Sequence, residues 1–130
     1  MKTWQIGDRI ERRFEVTDER ITQFGNASCD LNPLHFDEDF AKTTIFKGRI
    51  AHGMLTGAFI SAAIADEFGA GTIYLEQNLK FLKPVRIPDQ VRVLLVVNGF
   101  DGKVMTLYTG AHANGVEVIQ GSAKILLTKS

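Results

Sequence analysis

The rhythm of apolar and polar positions changes several times along the chain. From Arg9 to Val16 the apolar residues Ile10, Phe14 and Val16 have charged residues between them, which predicts a strand of mixed character. Thr17 then offers an N-cap, and Asp18 and Glu19 suit the positive end of a helix dipole, although Arg20 stands where a capping box needs Glu or Gln. This helix turns Ile21, Phe24 and Ala27 to the core and stops near Gly25 to Ser28. Asp37–Ala41 reads as one acidic helical turn with Phe40 packed inward. From Lys42 to Ala51 no periodicity is sustained, which predicts a loop bordering a binding site.

At His52-Gly53 the pattern becomes apolar on nearly every side: Met54, Leu55, Ala58, Phe59, Ala62, Ile64 and Ala65 predict a helix to about Phe68, buried all round and closed by Gly69 or Gly71. The remainder is β-structure. Ile73–Val85 is a long strand with Ile73, Leu75, Leu79 and Phe81 on one parity, bent or at an edge where Pro84 and Pro88 occur. Val91–Asn98, Val104–Ala113 and Val116–Thr128 follow, with a turn around Gly99 to Gly102 and a type I′ hairpin at Asn114-Gly115. An apolar helix and four or five mainly antiparallel strands imply an α+β fold, a curved sheet wrapped around that helix. One copy leaves a sheet edge unpaired and a pocket half open, which predicts a symmetric homodimer.

Composition narrows the function. With 130 residues the chain has the size of one domain, 1–130, and 15 basic residues balance 15 acidic ones, so no basic surplus points to nucleic acid or an acidic membrane. Met1–Asp8 lacks a signal-peptide core and Met54–Ala65 is too short to span a bilayer, so a cytoplasmic protein is expected. Cys29 is the sole cysteine; Asp30 beside it disfavours a thiolate, and a semi-buried structural thiol is expected. His35, His52 and His112 are scattered without metal-ligand spacing, so no metal is expected.

The chemistry-bearing stretch is Asp30-Leu31-Asn32-Pro33-Leu34-His35. Pro33 pushes Asn32 out of the α region, so acid and imidazole sit on a bent, rigid loop. Converging on one water they perform general acid-base catalysis; otherwise Asp30 or Asn32 forms an Asx-type turn and His35 packs nearby. Gly53 similarly offers two readings. It opens a helix whose first N–H groups can form an oxyanion hole, or it simply begins a crowded helix. His52 either touches substrate or makes a structural hydrogen bond. His112 is expected to be exposed. Lys80, Lys83 and Arg86 either meet phosphates or face solvent, and Met54, Leu55, Phe59, Leu75 and Phe81 either wall an acyl slot or belong to the core.

Ser28–His35, Ala41, Ala51-His52-Gly53-Met54-Leu55, Ile73-Tyr74-Leu75 and Phe81–Val85 together, in this order and spacing, resemble the MaoC-like (R)-specific enoyl-CoA hydratases of the hot-dog fold. Cys29 departs from the pattern, where many relatives carry glycine or an acidic residue. The resemblance implies reversible addition of water to a trans-2-enoyl-CoA thioester, giving an (R)-3-hydroxyacyl-CoA without a cofactor. It casts Asp30 and His35 as general base and general acid, Asn32 as an orienting residue, the Gly53 amide as oxyanion donor and Ser61 as a neighbour of the site's hydrogen-bond network. An acyl-CoA thioesterase, a (3R)-hydroxyacyl-carrier-protein dehydratase subunit and a non-catalytic acyl-thioester binding module are the alternatives.

Overall fold

The structure, a computed structural model, describes residues 3–129. Strand β1 (Arg9–Glu15) leads into helix α1 (Asp18–Ser28), whose N-cap Thr17 hydroxyl accepts from the Arg20 amide at 3.0 Å. Two short helices, α2 (Pro33–Phe36) and α3 (Glu38–Lys42), precede the long α4 (Gly53–Phe68). Strands β2 (Thr72–Phe81), β3 (Gln90–Phe100), β4 (Val104–Ala113) and β5 (Val116–Leu127) complete the chain. Asn114 and Gly115 have φ of 54° and 74°, the two positive values a type I′ hairpin requires.

The five strands form one antiparallel sheet in the order β1-β3-β4-β5-β2, with α4 packed against β1, β2, β3 and β4. Strand alternation puts Val93, Leu95 and Val97 of β3 and Met105 and Leu107 of β4 in the core with Phe59, Ile60, Ala63 and Ile64 of α4. This is the hot-dog arrangement. Arg12 anchors the far end of the helix, donating to Asp66 at 2.8 Å and Glu67 at 2.6 Å. Phe59 stacks on Phe14 with centroids 4.7 Å apart and planes 3° from parallel, so it is core and not acyl wall. Phe59→Ala is expected to cost about 3–5 kcal/mol of stability, measured by urea denaturation with an unchanged m-value.

Several expectations are corrected. α4 is not enclosed on every side: Met54 is 56% exposed, and Ala58, Ala62 and Ala65 also face outward. One sheet covers one side of a helical cylinder, and the opposite stripe stays open. Ala27 is exposed because α1 buries Ile21 and Gly25, four apart on another face. Phe40 is exposed because Ala41 takes the inward position of the short α3. β2 stops at Phe81, before Pro84, and its alternation breaks at a register shift between Tyr74 and Glu76. β3 continues through Gly99 to Phe100, absorbing a shift between Val97 and Gly99. His112 is half-buried rather than exposed, because it stands on β4 between paired strands. No helix among the described residues is long and apolar enough to cross a membrane.

Candidate active site

α1 terminates at Cys29, whose φ of 64° lies in the left-handed region. Cys29 is exposed rather than semi-buried, since it sits past the last turn of α1. Asp30 Oδ1 accepts from the Asn32 amide at 3.3 Å, and Asn32 Oδ1 accepts from the Leu34 amide at 3.1 Å. Asn32 is thereby the N-cap of α2, with Pro33 in the first turn where its missing N–H costs nothing. His35 therefore rides on a helical turn instead of a loop. The Asx-type bonds and the convergence of side chains, alternatives in the sequence, coexist.

His35 is 8% exposed, and its ring Nδ1 lies 2.8 Å from the Ile50 carbonyl oxygen. A carbonyl only accepts, so Nδ1 carries a hydrogen, and in the neutral ring Nε2 keeps a lone pair. Burial holds the His35 pKa below the ordinary histidine value, and nearby His52 acts in the same direction; the Ile50 bond and Asp30 oppose them. His52 lies against His35 with ring centroids 3.9 Å apart, and its Nε2–H donates to the Asp30 carbonyl at 2.9 Å. Phe24 and Phe36 pack around it at 5.0 and 5.5 Å. His52 thus pins the early loop to the start of α4.

Beyond these groups is a cavity of about 450 Å³ lined by Asp30, His35, His52, Gly53, Phe46, Ile50, Thr56 and Phe81 among others. His52 is the non-helical N-cap of α4, so the Gly53 amide has no intrahelical acceptor and stands at the positive end of the helix. A Cβ at Gly53 would come 2.7 Å from the Phe81 ring, which explains why this position has no side chain. An acid, a neutral imidazole and a helix amino end thus face one mostly apolar chamber, an arrangement suited to proton transfer beside a polarised carbonyl. The histidines that look scattered in sequence also partly meet: Asp30, His35 and His52 each bring a potential ligand atom within 4.8 Å of the others. One nitrogen of each imidazole is already engaged with a backbone carbonyl.

The other candidates divide. Met54 lines the cavity, whereas Leu55 is only 6% exposed and belongs to the core, because the helix turns it toward the sheet. Ser61 and Leu75 line a second groove, two turns along α4 in the case of Ser61, and Met54 borders both spaces. Asn32 lies outside the cavity lining. Lys83 is on the rim and Lys80 is exposed, but Arg86 is committed to structure, donating to the Phe46 carbonyl at 2.6 Å. Thr56 was not singled out by sequence. Its hydroxyl and His52 Nδ1 are buried without a hydrogen-bond partner among the described residues, and both residues line the cavity. The spacing of four from His52 on one helix face was the available signal.

Comparison with known proteins places this geometry in a family. Residues 4–119 match the model of the MaoC like domain. An (R)-specific enoyl-CoA hydratase of Rhodospirillum rubrum is 43% identical over 115 residues, 86% of this chain and 80% of that protein. Another (R)-specific enoyl-CoA hydratase, from Aeromonas caviae, is 36% identical over 110 residues, 82% of this chain and 81% of its own. The solved structure of an R-hydratase from Pseudomonas aeruginosa in the unliganded form superposes with a TM-score of 0.91 at 38% identity, covering 98% of this chain and 84% of that one. By fold, by site and by these matches, the chain belongs to the family of MaoC-like domains.

Proposed function

We propose that the chain is an (R)-specific enoyl-CoA hydratase, a hydro-lyase that adds water reversibly to trans-2-enoyl-CoA. The observation that carries this reading is the His35 ring, with Nδ1 held by the Ile50 carbonyl and Nε2 left beside Asp30, in a cavity that also contains the amino end of α4. The thioester oxygen sits at the Gly53 N–H, which draws electron density from C3. Water held between Asp30 and His35 attacks C3: its O–H bond breaks, Nε2 takes the proton, and the C2–C3 π pair moves into an enolate. With Nδ1–H on the Ile50 carbonyl, the Nε2 lone pair gives His35 the base role that the resemblance assigns to Asp30. The Asp30 carboxylate accepts the water's second hydrogen throughout. As the enolate collapses, the imidazolium returns its proton to C2. Oxygen and proton come from one side, so addition is syn, and no electrons leave the substrate.

Asn32 contributes by capping the turn that carries His35. An acyl chain leaving the thioester passes Met54, which borders both spaces, and runs toward Ser61. Ile73, Tyr74 and Leu75 are exposed on edge strand β2 next to the open stripe of α4, and a second copy covers them in a homodimer. The acyl carrier is coenzyme A, as in the names of the two curated relatives.

Crotonyl-CoA tests the reaction class. Its conjugated enoyl absorbance is expected to fall without release of free thiol; thiol release with the double bond intact would make the protein a thioesterase. The pH profile follows from the His35 shift. Burial lowers its folded pKa, so the neutral ring that accepts the water's proton persists below the ordinary value of 6.5. Hydration kcat/KM is expected to be flat near neutrality and to fall only below pH 6.5, with a midpoint on the acid side of that value. A midpoint above it would show that another group titrates.

A further inference from the structure

The loop 43–50 has neither helix nor strand, yet it forms part of the cavity wall and supplies the carbonyl that fixes the His35 tautomer. Such a segment needs its backbone groups anchored by other partners. Residues 49 and 50 grip residues 34 and 35 at three points. The Ile50 amide donates to the Leu34 carbonyl at 3.4 Å, Arg49 Nε donates to the His35 carbonyl at 2.8 Å, and His35 Nδ1–H donates to the Ile50 carbonyl at 2.8 Å. The same guanidinium reaches α1, with its second arm 2.7 Å from Asp18 Oδ1. The Arg49 side chain is 20% exposed and that of Asp18 is 67% exposed. An ion pair so open at one end adds little stability by itself. What the planar fork supplies is direction, because one rigid group sets the distance between α1, α2 and its own loop.

We propose that Arg49 is a positioning residue for catalysis: it locks the His35 backbone and the Ile50 carbonyl into the one geometry that keeps the His35 hydrogen on Nδ1 and leaves Nε2 for the reacting water. Arg86 braces the same loop from the other side, donating to the Phe46 carbonyl at 2.6 Å and the Arg49 carbonyl at 3.5 Å. The role of Nε2 rests on the hydratase reading above, whereas the control of the tautomer stands without it.

The test pairs a spectroscopic measurement with kinetics on Arg49→Met, Arg49→Lys and Asp18→Asn. Long-range proton–nitrogen correlation spectra of uniformly nitrogen-15-labelled protein, with His35 assigned by loss of its signals in His35→Gln, report which ring nitrogen is protonated. The unaltered protein is expected to show the Nδ1–H form alone. Arg49→Met is expected to show a mixture with the Nε2–H form, with crotonyl-CoA kcat about 10- to 100-fold lower and KM within about threefold. Arg49→Lys should recover part of kcat, since an ammonium reaches one partner but not both. If Arg49→Met does not fold, Asp18→Asn decides at its exposed site, with a smaller rise in the Nε2–H form expected. Retention of the Nδ1–H form alone with unchanged kcat, in Arg49→Met or in the fallback, would overturn the proposal. Because the tautomer is read without substrate, an inactive wild type would count against the hydratase reading and leave this result to stand separately.

Discussion

His35→Gln and Asp30→Asn are each expected to lower crotonyl-CoA hydration by about 10³-fold or more, toward the upper range of general acid-base contributions, while both proteins stay folded. Glutamine places its amide near the position of Nε2 rather than Nδ1, so His35→Asn, whose Nδ2–H can donate to the Ile50 carbonyl as Nδ1–H does, is made beside it to keep the contact between α2 and the loop. What both amides lack is a basic nitrogen to take the water's proton. Asparagine at position 30 keeps an oxygen to accept from the Asn32 amide, so the turn is preserved while the charge is lost. Full rates in either variant, with circular dichroism and melting unchanged, would remove that residue from the chemistry.

Gly53→Pro carries the second large effect. Proline is tolerated in the first turn of a helix, and His52, at φ −58° and ψ 130°, already has the extended backbone that a following proline demands. The substitution therefore removes the N–H while leaving the start of α4 intact. Loss of a single oxyanion donor typically lowers kcat by about 10²–10³-fold. The ring also adds a Cβ where Phe81 lies 2.7 Å away, so the measurement is made in a Phe81→Leu background, with Gly53→Ala in that background as the control for bulk. Equal rates for the alanine and proline variants would mean that the Gly53 amide does not serve the carbonyl.

Features encoded by neighbours in sequence were readable without coordinates. Thr17 as a cap, Asn114-Gly115 as a hairpin, Gly53–Phe68 as a helix and Asp30 with His35 as a convergent pair depend on local geometry within a few residues. Bonds between distant segments were not readable. His52 looked like a substrate contact or an ordinary structural histidine, and only the folded chain brings its Nε2 to the carbonyl of Asp30, 22 residues earlier. Arg86 looked like either a phosphate contact or a solvent-facing charge, because nothing local reveals that the Phe46 carbonyl, 40 residues away, already occupies it. Arg49 drew no attention at all, since its value lies in joining α1 to α2. Phe40 and Ala27 show the converse limit. In a five-residue helix, or past the docked face of a longer one, hydrophobicity alone does not decide which side is inward.

In the proposed reaction the oxygen for C3 and the proton for C2 reach the substrate from the same face, the one that Asp30 and His35 line. Hydrating crotonyl-CoA in deuterium oxide and resolving the product by chiral chromatography and proton NMR reads this directly. (R)-3-Hydroxybutyryl-CoA carrying a single deuterium at C2, syn to the hydroxyl, is the expected product. Anti placement of the deuterium, or a product of (S) configuration, would contradict it.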